Sequence, residues 1–183
     1  MTLPPVPWIP EFNAGGPAVD QLNTMAMALQ FVLDRPRFRA RRAVTAWTLT
    51  EGVNNIPSWD TVDEDNYGGW SAGTPGRYVC QAAGWYQVTA AVSLSGTGAG
   101  GLVLIPGIFV NGASPTGVGT VWEGPEMPVP IGGPKTVPAA WSVWLDVGDY
   151  VQLNVWYSSE SSITATDITP GFETRIELVW DGA

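Results

Sequence analysis

The stretch Val143-Trp-Leu-Asp-Val-Gly-Asp-Tyr-Val-Gln-Leu-Asn-Val-Trp-Tyr157 decides the fold, because it contains two alternating apolar segments joined by a turn at Asp146 to Asp149. After the turn, Val151, Leu153 and Val155 occupy every second position and share one face of a strand, so the residues between them point to the other face. The pattern predicts two antiparallel strands in a half-buried sheet.

The composition fits a β protein with many tight turns. The chain has 183 residues, 45% of them apolar, which is enough for one compact domain plus a small appendage. Its 22 Gly and 16 Pro suit short strands joined by turns. Its 10 Trp indicate either a bulky core or an aromatic surface offered to a partner, since each indole needs a partner for its N–H group.

Turn signals divide the remainder of the chain into nine short strands, a number that predicts an antiparallel jelly-roll β-sandwich. The predicted strands are Val44 to Glu51, Trp59 to Val62, Arg77 to Cys80, Gly84 to Leu94, Leu102 to Val110, Val118 to Trp122, Ala139 to Leu145, Tyr150 to Tyr157 and Phe172 to Trp180.

Three regions are predicted along the chain: an extended anchoring arm over 1–16, a short helix with a basic linker over 17–38, and a jelly-roll head over 39–183. In the arm, four prolines between Pro4 and Pro10 favour extended backbone and exclude a helix. The helix is expected from Pro17 to Asp34, because Pro17 suits a first helical turn and Pro36 stops the helix.

The helix carries an apolar row with three- and four-residue spacing, which predicts a seam that packs on sister helices or on a partner. The seam residues are Val19, Leu22, Ala26, Leu29 and Leu33. The arm has no core of its own, so its apolar side chains are predicted to anchor it on another protein. The predicted anchoring residues are Leu3, Val6, Trp8, Ile9 and Phe12.

Charge is divided unevenly in the chain, whose net charge is −9. Up to Arg42 there are five Arg and three acidic residues, giving +2, and the rest has three basic and fourteen acidic residues, giving −11. Such an acidic head repels phosphate backbones and argues against nucleic acid as a partner.

The arginines from Arg35 to Arg42 are interpreted as a solvated collar, with contact to an acidic protein surface or nucleic acid as the alternative. The alternation Arg37-Phe-Arg-Ala-Arg41 also fits a strand with one charged face.

The sequence argues against an enzyme. It contains no His, which excludes Ser-His-Asp and Cys-His pairs and imidazole metal sites. We expect no cofactor, metal or catalytic residue, although the acids Asp60, Asp63, Glu64 and Asp65 leave a calcium site or a carboxylate pair as alternatives.

The single Cys80 is expected to be a buried thiol. Neither a signal peptide nor a membrane span is expected, which predicts a protein made in the cytoplasm.

The order of motifs from Ala43 to Trp180 resembles the trimeric jelly roll of tumour necrosis factor and of the globular heads of the first complement component. Phe172 matches the family's last strand, where Glu173-Thr-Arg stands in place of the family's glycine. The motifs that carry the resemblance are Trp59-Asp-Thr-Val62, Gly84-Trp-Tyr-Gln-Val-Thr-Ala-Ala-Val92, Ile108-Phe-Val-Asn-Gly112, Leu145-Asp-Val-Gly-Asp-Tyr-Val-Gln-Leu153 and Phe172 to Trp180.

The resemblance implies a homotrimer in which aromatic side chains of the head are buried only on assembly. The residues predicted for this head interface are Tyr86, Trp144, Trp156, Tyr157 and Trp180.

The front end, from Leu3-Pro-Pro-Val-Pro-Trp8 to Phe31-Val-Leu-Asp-Arg-Pro36, resembles virion proteins of tailed actinobacterial phages described as minor tail or head-decoration proteins. This resemblance implies a virion protein, assembled in the host cytoplasm, whose arm attaches to the major capsid protein or another virion protein. A homotrimeric capsid decoration protein is the expected function. The alternative is a minor tail or fibre adhesin whose jelly roll binds a host-surface glycan.

Overall fold

The structure, a computed structural model, describes residues 17–44, 47–97, 101–112, 120–124, 126–130, 134–159, 164–166 and 173–182. Helix α1 spans Pro17–Leu33, which confirms the predicted helix. Among the described residues the rest of the regular structure is antiparallel β, in two sheets that form a jelly roll, as predicted. No helix in this part of the chain has the length and apolar content needed to cross a membrane.

Six strands form the first sheet around the long central strand β4. One edge of β4 pairs with β8, and the other pairs with β11 and then β10, while β1 lies between β11 and β2. The strands are β1 (Arg37–Arg41), β2 (Thr61–Asp65), β4 (Gly84–Thr97), β8 (Pro134–Leu145), β10 (Thr164–Thr166) and β11 (Arg175–Gly182).

Five strands form the second sheet, in which β5 pairs with β9 along most of its length and with β6 and β7 on its other edge. The strands are β3 (Tyr78–Val79), β5 (Gly101–Val110), β6 (Thr120–Glu123), β7 (Met127–Pro130) and β9 (Tyr150–Ser159).

The turn between β8 and β9 forms as the sequence predicts, but the prediction that the two strands share one sheet is wrong, because β8 pairs with β4 whereas β9 pairs with β3 and β5. The amide of Asp149 donates to the carbonyl of Asp146 at 3.0 Å, and the Asp149 carboxylate accepts from the amide of Asp146 at 2.8 Å. Gly148 has a φ of 96°, a conformation that glycine adopts without steric cost. This turn carries the chain from one sheet to the other.

The core lies between the two sheets and consists of the inward-facing alternate residues of the long strands. Val88, Leu178 and Val143 of the first sheet are buried, as are Leu104 and Leu153 of the second. The predicted face of β9 is confirmed, because Val151, Leu153 and Val155 are all buried.

The prediction of a strand from Val44 to Glu51 is wrong for its described residues. The first strand is β1, whose alternation of arginine with buried Phe38 and Ala40 confirms the strand suggested for that segment. Further along, Asn55 and Val155 exchange both backbone hydrogen bonds, at 3.0 and 2.8 Å, and the Asn55 side chain bonds the amide and carbonyl of Thr50. These contacts satisfy the backbone at Thr50 without a strand.

Strands β7 and β10 are absent from the prediction, and several other strands differ from it in their bounds. Strand β7 contains two prolines and lies at a sheet edge, where the missing N–H group is tolerated. Strand β10 has three residues and little apolar signal. Strands β2 and β11 begin later than predicted, and β8 begins earlier, at Pro134.

We expect Leu153→Ala to lower the free energy of unfolding by about 2–5 kcal/mol, because it leaves a cavity between the sheets. Chemical denaturation at one fixed protein concentration measures this change. As a control, Val147→Ala in the exposed turn should stay within about 0.5 kcal/mol of the parent protein. Equal effects of the two substitutions would contradict the assignment of Leu153 to the core.

Candidate functional site

Three surfaces of the described structure lie outside the core and could contact a partner: the apolar row of α1, the outer face of the six-stranded sheet, and the outer face of the five-stranded sheet. Each is built from residues that the elements described above place side by side.

The C-terminal end of α1 packs against the head through Phe31. Its ring makes edge-to-face contacts with Trp180 and Tyr67, at centroid distances of 4.7 and 6.0 Å. On a helix, Phe31 lies on the side opposite to Leu22 and Leu29. The contact with the head therefore leaves the predicted seam facing away from it.

The seam is solvent-exposed in the single chain. Leu22, Leu29 and Leu33 have exposed fractions of 52, 60 and 72%, and Val19 and Ala26 are half-buried. Met25, beside the row, is 68% exposed. A row of large apolar side chains without cover is a surface of the kind that proteins bury against a partner.

Arginines and acids cover part of the outer face of the six-stranded sheet. The guanidinium of Arg41 lies 3.2 Å from the carboxylate of Asp63 and 3.7 Å from that of Glu173, and Arg37 lies 3.9 Å from Glu64. These surface pairs contribute little stability each. Arg37 fits the collar interpretation as an exposed group, but it belongs to strand β1 rather than to the linker predicted over 17–38, and Arg41, also in β1, is half-buried.

Arg42 departs from the collar interpretation, because its side chain is buried. Its Nη1 donates to the carbonyl of Ser58 at 2.6 Å, and its guanidinium lies 5.5 Å from the ring centre of Trp47. Arg42 therefore fixes the loop that follows β1.

The same outer face contains a broad depression of about 790 Å³. Small side chains, including Thr89, Ala91 and Ala140, form its centre, and Arg39 and Glu177 lie at its side. The register places Thr89 between Ala140 and Glu177 across three strands. A depression with small residues and charges of both signs is suited to receiving part of another protein.

Trp144, one of the predicted interface residues, lies at one end of this face. It forms an edge-to-face pair with Trp85 at 5.9 Å, and both rings are about half exposed. Its Nε1 donates to the carboxylate of Asp146 at 3.1 Å. The pair extends the same surface with apolar area.

Trp156 lies on the other sheet, beside a cavity of about 320 Å³. The register aligns Asn154 of β9, Gly107 of β5 and Glu123 of β6 in one row across the outer face. Because Gly107 has no side chain, a gap opens between Asn154 and Glu123. Trp156, Ile105, Phe109 and Asn54 complete the lining of this cavity, which we call the Gly107 pocket.

Two of the predicted interface residues, Tyr86 and Tyr157, are internal, so their assignment to the interface is wrong. Their exposed fractions are 0 and 2%, which leaves no surface for a neighbouring subunit. The Tyr86 hydroxyl donates to the carbonyl of Ala82 at 2.8 Å, and the Tyr157 hydroxyl donates to that of Leu49 at 3.3 Å. Both point into the core because they have the same strand parity as its aliphatic residues.

Trp180 is half-buried at the seat of α1, where its Nε1 donates to the carbonyl of Ala83 at 3.0 Å. The five residues predicted for the head interface therefore do not share one surface. Trp144 and Trp156 lie on opposite sheets, and Trp180 supports the helix. The predicted anchoring residues Leu3, Val6, Trp8, Ile9 and Phe12 lie outside the described residues.

Each acid of the group considered for calcium has a partner within the fold. The Asp60 carboxylate accepts from the amides of Ala43 and Val44, and the Asp65 carboxylate accepts from those of Gly69 and Trp70. Asp63 and Glu64 pair with arginines of β1. Among the described residues, no three acids, cysteines or histidines come together in a way that suits a metal ion.

A buried polar cluster closes one end of the sandwich. Cys80 is buried, as predicted, and its thiol donates to the carbonyl of Ala82 at 3.0 Å. Burial raises the pKa of Cys80, of Tyr86 and of Tyr78. The Tyr78 ring stacks on Phe38 at 4.8 Å, and its hydroxyl has no hydrogen-bond partner among the described residues.

Comparison with known proteins identifies the fold but no family for this chain. No protein-family model matches it, and no curated protein matches it in sequence. The globular domain of zebrafish complement 1qA protein is similar in structure, with a TM-score of 0.53 and 11% identity, over 80% of this chain and 97% of that domain. Murine APRIL in its crystal structure at pH 5.0 has a TM-score of 0.54 and 10% identity, over 79% of this chain and 98% of that one.

These likenesses define a jelly roll of the kind seen in tumour necrosis factor and complement globular domains, which confirms the fold that the sequence resemblance implies. At 10 and 11% identity they establish the fold alone. The resemblance to phage virion proteins stays a prediction.

The sequence does not reveal the Gly107 pocket. A glycine opposite an asparagine on one strand and a glutamate on another becomes visible only when the strand register is known. The one available signal is the outward parity of Asn154 and Trp156 on β9.

We expect Tyr78→Phe to leave the free energy of unfolding at pH 7 unchanged or higher, because the hydroxyl it removes is buried without a partner. Tyr86→Phe breaks a hydrogen bond and should cost about 0.5–1.5 kcal/mol. Urea denaturation of the two variants provides a matched comparison. A larger loss for Tyr78→Phe than for Tyr86→Phe would contradict this assignment.

The parent protein should lose stability at alkaline pH. The unfolded chain releases the Cys80 and tyrosine protons near their ordinary pKa values of 9.0 and 10.0, whereas the folded chain retains them because the folded pKa values are raised. Stability is therefore full below about pH 9 and falls as the pH rises. Each Tyr→Phe substitution should flatten the fall above pH 10, and an unchanged slope in both would refute this origin.

Proposed function

We propose that this chain is a non-enzymatic virion structural protein, a homotrimeric capsid decoration protein that attaches through its N-terminal arm. The observation that carries the proposal is the exposed apolar row of α1, which faces away from the head to which Phe31 joins the helix. A structural assembly role explains a helix that the head does not cover.

Self-association through α1 has a physical reason. An isolated helix of this length is marginal in water, and burying a leucine fully contributes about 1.5–3 kcal/mol. Leu22, Leu29 and Leu33 would each contribute to this if three helices packed seam to seam. Jelly-roll domains of this kind are typically homotrimers, which supports a threefold rather than a twofold assembly.

The outer face of the six-stranded sheet supplies a second contact. Its depression, with Ala91 and Ala140 at the centre, would receive part of the neighbouring head, and the pair of Trp85 and Trp144 would lose its exposed area. The mixture of arginine and acid at its side would let opposite charges pair across the contact between two copies.

Attachment to the particle is proposed for the arm over residues 1–16. Support comes from the resemblance of this segment to virion proteins of tailed phages, and from its prolines, which lower the entropy lost when an extended segment docks. The partner would be the major capsid protein or another virion protein. We expect neither nucleic acid nor a membrane as a partner, and localisation to the virion after assembly in the host cytoplasm.

A second candidate function is that of a minor tail or fibre adhesin that binds a host-surface glycan. The Gly107 pocket favours it, because an aromatic ring and several polar side chains converge there on the sheet that the proposed trimer leaves uncovered. The two functions differ in where the same trimer would stand on a particle.

We expect the parent protein to sediment as a trimer and the double variant Leu22→Glu, Leu29→Glu to dissociate to monomers, since three rows of carboxylates would meet in the seam. Sedimentation velocity at micromolar concentration measures this, and circular dichroism checks that the head stays folded. Ala28→Glu, on the far side of the helix, is the matched control and should remain trimeric. A monomeric parent protein, or a trimer that survives the double substitution, would refute the seam.

Deletion of residues 1–15 should leave a soluble trimer that no longer binds particles lacking this protein. Co-sedimentation of the truncated and parent proteins with such particles measures the loss, and sedimentation velocity confirms the trimer. Binding that survives the deletion would place the anchor in α1 or the arginines of β1 instead.

A further inference from the structure

We propose that the Gly107 pocket binds a single neutral pyranose residue, which gives the second candidate function a specific site and ligand class. The pocket lies on β5, β6 and β9, away from both α1 and the depression on the six-stranded sheet. Its ligand binding therefore does not depend on the proposed trimer contacts.

Asn154 contributes a buried and only partly paired polar side chain to the pocket. The residue is only 4% exposed, its Nδ2 donates to the Oδ1 of Asn54 at 3.2 Å, and its own Oδ1 is buried with no hydrogen-bond partner in the described structure. In this orientation the contact with Asn54 engages the amide nitrogen and leaves the amide oxygen unpaired. Buried polar groups are normally satisfied, and because this oxygen is inaccessible to solvent, a ligand hydroxyl in the pocket reaches it only after the side chain turns toward the cavity.

Size and shape limit the ligand. The cavity of about 320 Å³ lies at the lower end of the range for small-molecule sites, roughly 300–1,000 Å³. Asn54 and Glu123 are exposed, so the pocket opens to solvent between them, whereas Gly107 and Phe109 are buried and form its floor. A ring of one sugar residue matches this space better than a peptide side chain with its backbone.

The lining matches the two chemical faces of a pyranose. Trp156 is half-buried and, with Ile105, offers an apolar surface to the C–H groups of a sugar ring. The amides of Asn54 and Asn154 and the carboxylate of Glu123 provide acceptors and donors for its hydroxyl groups. The lining combines one aromatic wall with polar side chains on both sides of the gap at Gly107.

Charge selects against an anionic ligand. The lining includes Glu123 and no lysine or arginine, and the chain carries a net charge of −9. A phosphate or a carboxylate sugar would meet repulsion there without a compensating cation. A neutral sugar is therefore the class that the residues accept.

The test titrates the full-length parent protein with glucose, galactose, mannose, N-acetylglucosamine and, as an anionic comparison, N-acetylneuraminic acid. The readout is the indole N–H signal of Trp156 in NMR spectra, identified by its disappearance in Trp156→Phe. We expect at least one neutral sugar to shift this signal with a millimolar dissociation constant, and the anionic sugar to leave it unchanged.

Three variants locate the binding. Gly107→Ala, which places a methyl group in the gap, and Trp156→Ala should each weaken sugar binding about tenfold or more, as measured by calorimetry. Glu123→Gln should weaken it several-fold, because hydrogen bonds to a charged group are stronger than those to a neutral one. Glu126→Gln, an exposed acid three residues further along and outside the pocket, is the matched control and should bind like the parent protein.

Several outcomes would overturn the proposal. One is a Trp156 signal that responds to none of the neutral sugars, and another is a signal that responds to calcium chloride alone and not to sugars. Sugar binding that Gly107→Ala leaves unchanged would overturn the proposal equally. The result is independent of the proposed assembly, because sedimentation reports the trimer separately. A trimer that binds no sugar would refute this inference alone, and a monomer that binds one would refute only the proposed trimer.

Discussion

The closure of one apolar layer between the two sheets is the constraint on which the rest of the structure depends. Strand β4 holds β8 and β11 at its two edges, and its inward residues, such as Val88 and Val92, are buried against the facing sheet. Because successive side chains on a strand point to opposite faces, the neighbours of each core residue lie on the outer face of the sheet. The outer faces are therefore determined by the same registers that build the core.

Those outward residues give the two sheets different chemistry. On the six-stranded sheet, Ala140, Thr89, Glu177 and Arg39 follow one another in a row, which leaves a shallow depression with charge at one side. On the five-stranded sheet, the row Asn154, Gly107 and Glu123 leaves a deeper gap between polar groups. One surface is suited to a protein and the other to a small molecule, although the two share a single core.

Local patterns were sufficient to predict the helix, the β8–β9 turn and most of the long strands, since these depend on periodicity and turn chemistry. The assignment of Tyr157 to the trimer interface is wrong because of strand alternation: Tyr157 continues the inward-facing series of Val151, Leu153 and Val155. Val44 to Glu51 was misread because the side chain of Asn55 and its bridge to Val155 decide that segment. The bridge joins residues 100 positions apart, and no local pattern contains it.

The positions of the three surfaces make assembly and ligand binding compatible. Phe31 and Trp180 fix the end of α1 at the end of β11, an inner strand of the six-stranded sheet, and both the apolar row and the depression are exposed for packing between subunits. The Gly107 pocket lies on the opposite sheet and is not consumed by such packing. Burying Leu29 and Trp144 in an assembly would leave Trp156 accessible in every copy, and three weak sites held on one body would act together on a surface with repeated ligands. The weakness expected of a small open pocket is therefore no argument against a role in adhesion.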